Sequence, residues 1–196
     1  LAARASFDAL AAAARASDDT EALAHAALGY AGTFEFGIFE PARLARLEES
    51  VATLRGDSPL AVRVTACLAR ELWMVPGTER RREELAERAL AMAERVSDDD
   101  ALAYAIDAWL LSVWRPEDGA ARRARADALL AAAERSGDPG RRLDAQRWRI
   151  NVALEAGETA RAREAIRDYA LVAAASRRPL ALANAAMREA LLPQLE

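Results

Sequence analysis

The chain has 196 residues, 53% hydrophobic and 30% charged, with aromatics at only 6%, which suffices for one sizeable core or a short run of stacked repeats. A formal charge of −4 excludes a basic nucleic-acid surface over the chain as a whole, and nine glycines with seven prolines are too few turn formers for an all-β fold. No apolar run approaches the roughly twenty residues that span a membrane, and the lone Cys67 allows no intrachain disulfide and fits a reducing cytoplasm.

Alanine, the best helix former, is the commonest residue and favours closely packed helices. The pattern predicts ten helices and no strand, centred near residues 9, 25, 48, 67, 87, 107, 128, 148, 167 and 187. The first opens in mid-helix pattern at Leu1, and the chain stops abruptly at Leu195-Glu196, so it reads as a fragment of a longer multidomain protein. After the second helix comes an irregular stretch, Gly29 to Glu40, whose glycines and aromatics read as a packed loop carrying Phe34, Phe36 and Phe39. The fifth helix carries Leu85, Ala89, Met92, Ala93 and Val96 on one stripe, with Glu84 and Arg88 paired on its polar side. The sixth, through Leu102, Ile106, Trp109, Leu110 and Val113, is apolar nearly all round and reads as the more buried partner, with Trp114 extending it. Pro41, Pro59, Pro139 and Pro179 open helices, and Gly157 separates the last helix pair from the one before.

A turn signal repeats along this order. Ser97-Asp98-Asp99 recurs as Ser136-Gly137-Asp138-Pro139 and as Ser176-Arg177-Arg178-Pro179, about forty residues apart, with Ser17-Asp18-Asp19 and Arg55-Gly56-Asp57-Ser58-Pro59 at the earlier positions. Such a period means a repeat protein: five helix–turn–helix units stacked in one domain over residues 1–196.

Side chains that could carry chemistry are few. Asp98-Asp99-Asp100 sits at a helix start, where acids cap free N–H groups, and Asp18-Asp19 holds the equivalent place. His25 is the only histidine and Cys67 the only cysteine, so no zinc-ligand set and no cysteine–histidine motif forms. All the Lys-plus-Arg charge is arginine, which leaves no phosphate loop of the lysine type. The clusters Arg80-Arg81-Arg82, Arg122-Arg123-Arg125, Arg141-Arg142 and Arg177-Arg178 have acidic neighbours and read as solvated faces. Trp73, Trp109, Trp114 and Trp148 fall on second helices and read as core by default. Trp148, flanked by Arg147 and Arg149, is the best candidate for stacking a sugar or flat ligand, with Phe34, Phe36 and Phe39 second. No catalytic residue, metal or cofactor is expected.

The phrases Leu85 to Arg95 and Val152 to Ala162, with Gly157 between two helices, resemble tetratricopeptide (TPR) repeats, although the period exceeds the usual thirty-four and the consensus Trp and Tyr positions are not kept. The order from Ala24-His25-Ala26-Ala27-Leu28-Gly29-Tyr30 through Leu44–Val51, Glu83–Asp98 and Trp148–Gly157 resembles the TPR-like arm of large actinobacterial regulators. In these a STAND-class ATPase is joined to a LuxR-type or other DNA-binding domain, as in maltose-type regulators. The resemblance implies an all-α, right-handed superhelical solenoid. It also implies a non-catalytic, cytoplasmic arm of a transcriptional regulator that binds a small-molecule inducer or a protein partner, without itself touching nucleic acid or membrane. Self-association through an exposed solenoid end is a further expectation. The rival readings are a scaffold unrelated to transcription and a helical enzyme.

Overall fold

The computed structural model describes residues 2–32 and 39–195. Among them are ten α-helices and no strand: α1 (Ala2–Ala16), α2 (Thr20–Ala31), α3 (Pro41–Thr53), α4 (Pro59–Glu71), α5 (Glu79–Val96), α6 (Asp99–Ser112), α7 (Gly119–Ser136), α8 (Pro139–Glu155), α9 (Thr159–Ser176) and α10 (Pro179–Glu189). Short 3-10 turns follow α4, precede α7 and follow α10. The second helix of each pair begins at Thr20, Pro59, Asp99, Pro139 and Pro179, in steps of 39, 40, 40 and 40 residues. None of the helices is long and apolar enough to cross a membrane, among the described residues.

The repeat is built into the turns. Within each pair the chain reverses through one left-handed residue: Asp18 (φ 52°), Gly56 (72°), Ser97 (58°), Gly137 (71°) and Arg177 (53°). Such a residue ends a helix because it turns the last carbonyls back toward following N–H groups, as where the Asp19 N–H reaches the Ala14 carbonyl at 2.9 Å. In four of the five turns a side chain one or two residues further on then caps the second helix, and Arg178 in the fifth makes no such bond. Asp19 accepts from the Ala22 N–H at 2.9 Å, Ser58 from Ala61 at 3.1 Å, Asp98 from Ala101 at 2.7 Å and Asp138 from Gly140 at 2.6 Å. Asp98 and Asp19 are thus capping residues, as the spacing predicts.

Where the sequence reads as one domain, the contacts group the chain into two compact units, Leu1–Ser112 and Val113–Glu196. In the first, consecutive helices from α1 to α6 pack on one another, and α4 also touches α2 and α6. One core cluster in it gathers Ala24, Ala27, Leu47, Val64, Cys67, Leu68 and Leu72. α1 crosses α2 where the Phe7 ring occupies the space a side chain on Gly29 would need. In the second unit α7, α8, α9 and α10 pack in sequence around Leu143, Ile150, Ile166, Tyr169 and Val172. Leu180, Leu182 and Met187 stand exposed on α10.

Within each unit, ion pairs link one pair of helices to the next. In the first unit Arg15 meets Glu49 at 2.6 Å and Arg46 meets Asp8, joining α1 to α3. Arg81 meets Glu48 at 2.9 Å, joining α3 to α5. Arg63 with Asp100, and Arg70 with Asp107 at 3.1 Å, join α4 to α6 in a common register. In the second unit Arg161 meets Asp127 at 3.0 Å, joining α7 to α9. In these pairs first helices join first helices and second join second, whereas Arg43 with Glu71 and Arg122 with Glu155 join the two helices of one pair.

Candidate functional site

The best sequence candidate is in the core. Trp148 is 1% exposed. The Trp114 ring meets it edge-on, with centroids 5.9 Å apart at 70°. Beside both lies Arg122, its guanidinium 4.8 Å from the Trp114 centroid and 5.5 Å from that of Trp148. The expectation that Trp148 offers an open stacking face is therefore corrected: α8 turns this position inward, toward Trp114 and Arg122.

Arg122 corrects a second expectation. It belongs to a cluster that reads as a solvated face, yet it is 1% exposed. Its Nη1 donates to the Val113 carbonyl at 2.5 Å, and its Nε and Nη2 donate to the two Glu155 carboxylate oxygens at 3.3 Å each. A buried guanidinium needs this many acceptors, since an unpaired one is costly. The arrangement fastens the segment before α7 to the end of α8.

Arg147 and Arg149 flank Trp148 in sequence, but only Arg147 lies against it in space. Residues two apart on a helix are about 200° apart around it. Arg147 lies over the Trp148 ring at 4.7 Å and 3.7 Å from Asp144. Arg149 turns the other way, donating to Gln146 at 3.1 Å and pairing with Asp127 of α7 at 3.6 Å and Asp168 of α9 at 3.5 Å. It ties three helices together and is turned away from the Trp148 wall. Phe39 is exposed beside Glu40, which accepts from the Tyr30 hydroxyl at 3.0 Å and pairs with Arg4 at 3.1 Å. Phe34 and Phe36 lie outside the described residues.

Trp114, which reads as core on the sixth helix, is a further correction. α6 ends at Ser112, so Trp114 falls in the connection before Pro116 and is 50% exposed. Pro116 was the available signal, because the residues just before a proline leave helical geometry. Trp73 sits half-buried in the 3-10 turn after α4, and Trp109 donates to Glu87 at 2.6 Å.

Of the residues that could do covalent chemistry, His25 is exposed and Cys67 is buried, with burial pushing its thiol up to about 11. A thiol held protonated at neutral pH is a poor nucleophile. Among the described residues no three His, Cys, Asp or Glu side chains are grouped to hold a metal ion. A shallow cleft of about 360 Å³ at the α5–α6 turn is lined by Glu94, Ser97, Asp98 and Asp99, of which Asp98 caps α6.

Comparison with family models, with curated proteins and with solved structures found no match to this chain.

Proposed function

We propose that the chain is a stretch of right-handed α-solenoid, built of five TPR-like hairpins, that serves as the non-catalytic ligand- or partner-binding arm of a multidomain bacterial transcriptional regulator. The observation that carries the architectural part is the register of the ion pairs. Arg15–Glu49, Arg46–Asp8, Arg81–Glu48, Arg63–Asp100, Arg70–Asp107 and Arg161–Asp127 each join residues between 33 and 38 apart, close to one repeat. Within each unit, stacked hairpins make like contacts from one to the next, and the helix starts of both units keep one period of about forty residues. A solenoid presents an extended surface and has no central pocket, which supports binding as its work. The buried thiol and the solitary histidine support the absence of catalysis.

Thermal unfolding of the chain against oligosaccharides, nucleotides and common metabolites tests the reading, because a ligand of the native state raises the midpoint by mass action. A reproducible rise with one compound class, or capture of a nucleotide-binding module from the same polypeptide, supports the arm. Turnover of any compound in the panel overturns it.

A further inference from the structure

The geometry points to head-to-tail stacking of a second copy of this chain, with α10 of one protomer seated against α1 of its partner. In the second unit, α8 is covered by the first helix of the following pair: Tyr169 and Val172 of α9 share one core cluster with Leu143 and Ile150 of α8. Leu143 and Ile150 stand four and eleven residues after the proline that opens α8, and Ala183 and Ala190 take those places on α10. Both alanines are exposed. They lie on one stripe with Leu180 and Met187, at i, i+3, i+7 and i+10, and Leu182 and Ala186 adjoin it. Leu180 is 66% exposed and Met187 62%. The face that α8 buries is therefore uncharged and open to solvent on α10.

α1 carries the matching face. Counted back from the left-handed residue of each turn, Leu10 and Ala13 stand eight and five residues before Asp18. Ala89 and Met92 stand likewise before Ser97, and Tyr169 and Val172 before Arg177. Those four are buried, and α5 and α9 pack on the second helices before them, α4 and α8. On α1 the same places are open: Leu10 is 39% exposed, and Ala13 is exposed as well. The charges of α1 are engaged elsewhere, since Asp8 and Arg15 pair with Arg46 and Glu49 of α3. Each protomer thus holds both halves of a contact like that of α8 with α9, and a second copy completes either one. Removing these apolar faces from water drives the association, and the alanines on both sides let the helix axes approach closely. The contact is heterologous, so it closes into a ring or goes on adding copies.

This inference rests on the stacked-hairpin part of the proposed function and goes beyond it by naming a partner. Sedimentation equilibrium of the 196-residue chain tests it. The average mass should rise with concentration to that of two chains or more. Met187→Glu on α10 and Ala13→Glu on α1 should each weaken association about tenfold or more, because each places an unpaired carboxylate in the contact. Mixed in equal amounts, the two variants should form a complex of two chains and nothing larger, since each keeps one intact face. Leu180→Glu and Leu10→Glu carry the test should either variant fail to fold, as read by helical circular dichroism. A wild type that stays monomeric at every concentration overturns the proposal. So does association that Met187→Glu weakens and Ala13→Glu does not, which would pair α10 with α10, or a mixture of the variants that stays monomeric. Each of these failures leaves the stacked hairpins and the ligand panel standing, whereas turnover in that panel would overturn the binding arm and leave this contact intact.

Discussion

Trp148 and Trp114 are the same residue type in contact with each other, yet one is enclosed and the other half in solvent. Trp148 is held on a helix whose neighbours cover it, whereas Trp114 lies in a connection with one ring face covered. Trp148→Ala should cost about 3–5 kcal/mol, the usual range for emptying a core tryptophan site. Trp114→Ala should cost about 1 kcal/mol, mainly its contact with the Arg122 cation. Urea unfolding of the two variants checks the ordering; equal losses would place both rings in the core. Cys67 provides a second residue-scale check. With its thiol buried and raised to about 11, iodoacetamide at pH 8 should leave the native chain unmodified over hours and label it promptly in denaturant, as read by mass spectrometry. Fast native labelling would show that α4 opens readily.

The helices owe their spacing to turn residues that are not chemically equivalent. Gly137 and Ser97 hold the same place in successive pairs, at φ 71° and 58°. The left-handed conformation costs a residue with a side chain about 1–2 kcal/mol, and glycine's extra freedom in the unfolded chain returns about 0.4–1 kcal/mol of that. Conformational strain is the larger effect, so Ser97→Gly should stabilise by about 0.5–1 kcal/mol and Gly137→Ser should destabilise by a similar amount. Urea midpoints with unchanged m-values would confirm both signs. A destabilised Ser97→Gly would mean that the serine hydroxyl makes up for the backbone strain.

Across the molecule, charge follows the repeat. The Arg70–Asp107 pair is largely shielded from solvent, whereas Arg81–Glu48 is open to it. Double-mutant cycles should give a coupling above about 1 kcal/mol for the first and within about 0.2–1 kcal/mol for the second. The carboxylates also set opposing pH trends. The Arg15 guanidinium holds Glu49 below the ordinary glutamate value, so its contribution is complete above that value and is lost as pH falls. Glu71 is the reverse: burial raises it above 4.5, with the nearby Arg43 only partly offsetting. The folded state then holds that proton more tightly than the unfolded chain, a contribution present at low pH and lost as pH rises through the raised value. The stability of Glu71→Gln relative to the wild type should therefore increase between pH 4 and pH 7, as urea unfolding at the two values would show. A constant difference would mean that Glu71 ionises normally in the fold.

The number, type and spacing of the helices were legible in the sequence because their causes are local. Apolar residues recur within two turns of helix, and Asp19, Ser58, Asp98 and Asp138 cap N–H groups only two or three residues away. The left-handed turn residues likewise act within the helix ends they join. Opposite placement of Arg147 and Arg149 was also available from helical geometry alone. What only the tertiary structure decided is which side chains face water. Trp148 is covered by Trp114 and Arg122, Arg122 is satisfied by Val113 and Glu155, and Arg188 lies over the Tyr169 ring. Each covering contact depends on a residue brought from another element, and exposure is set by neighbours that one stretch of sequence does not contain.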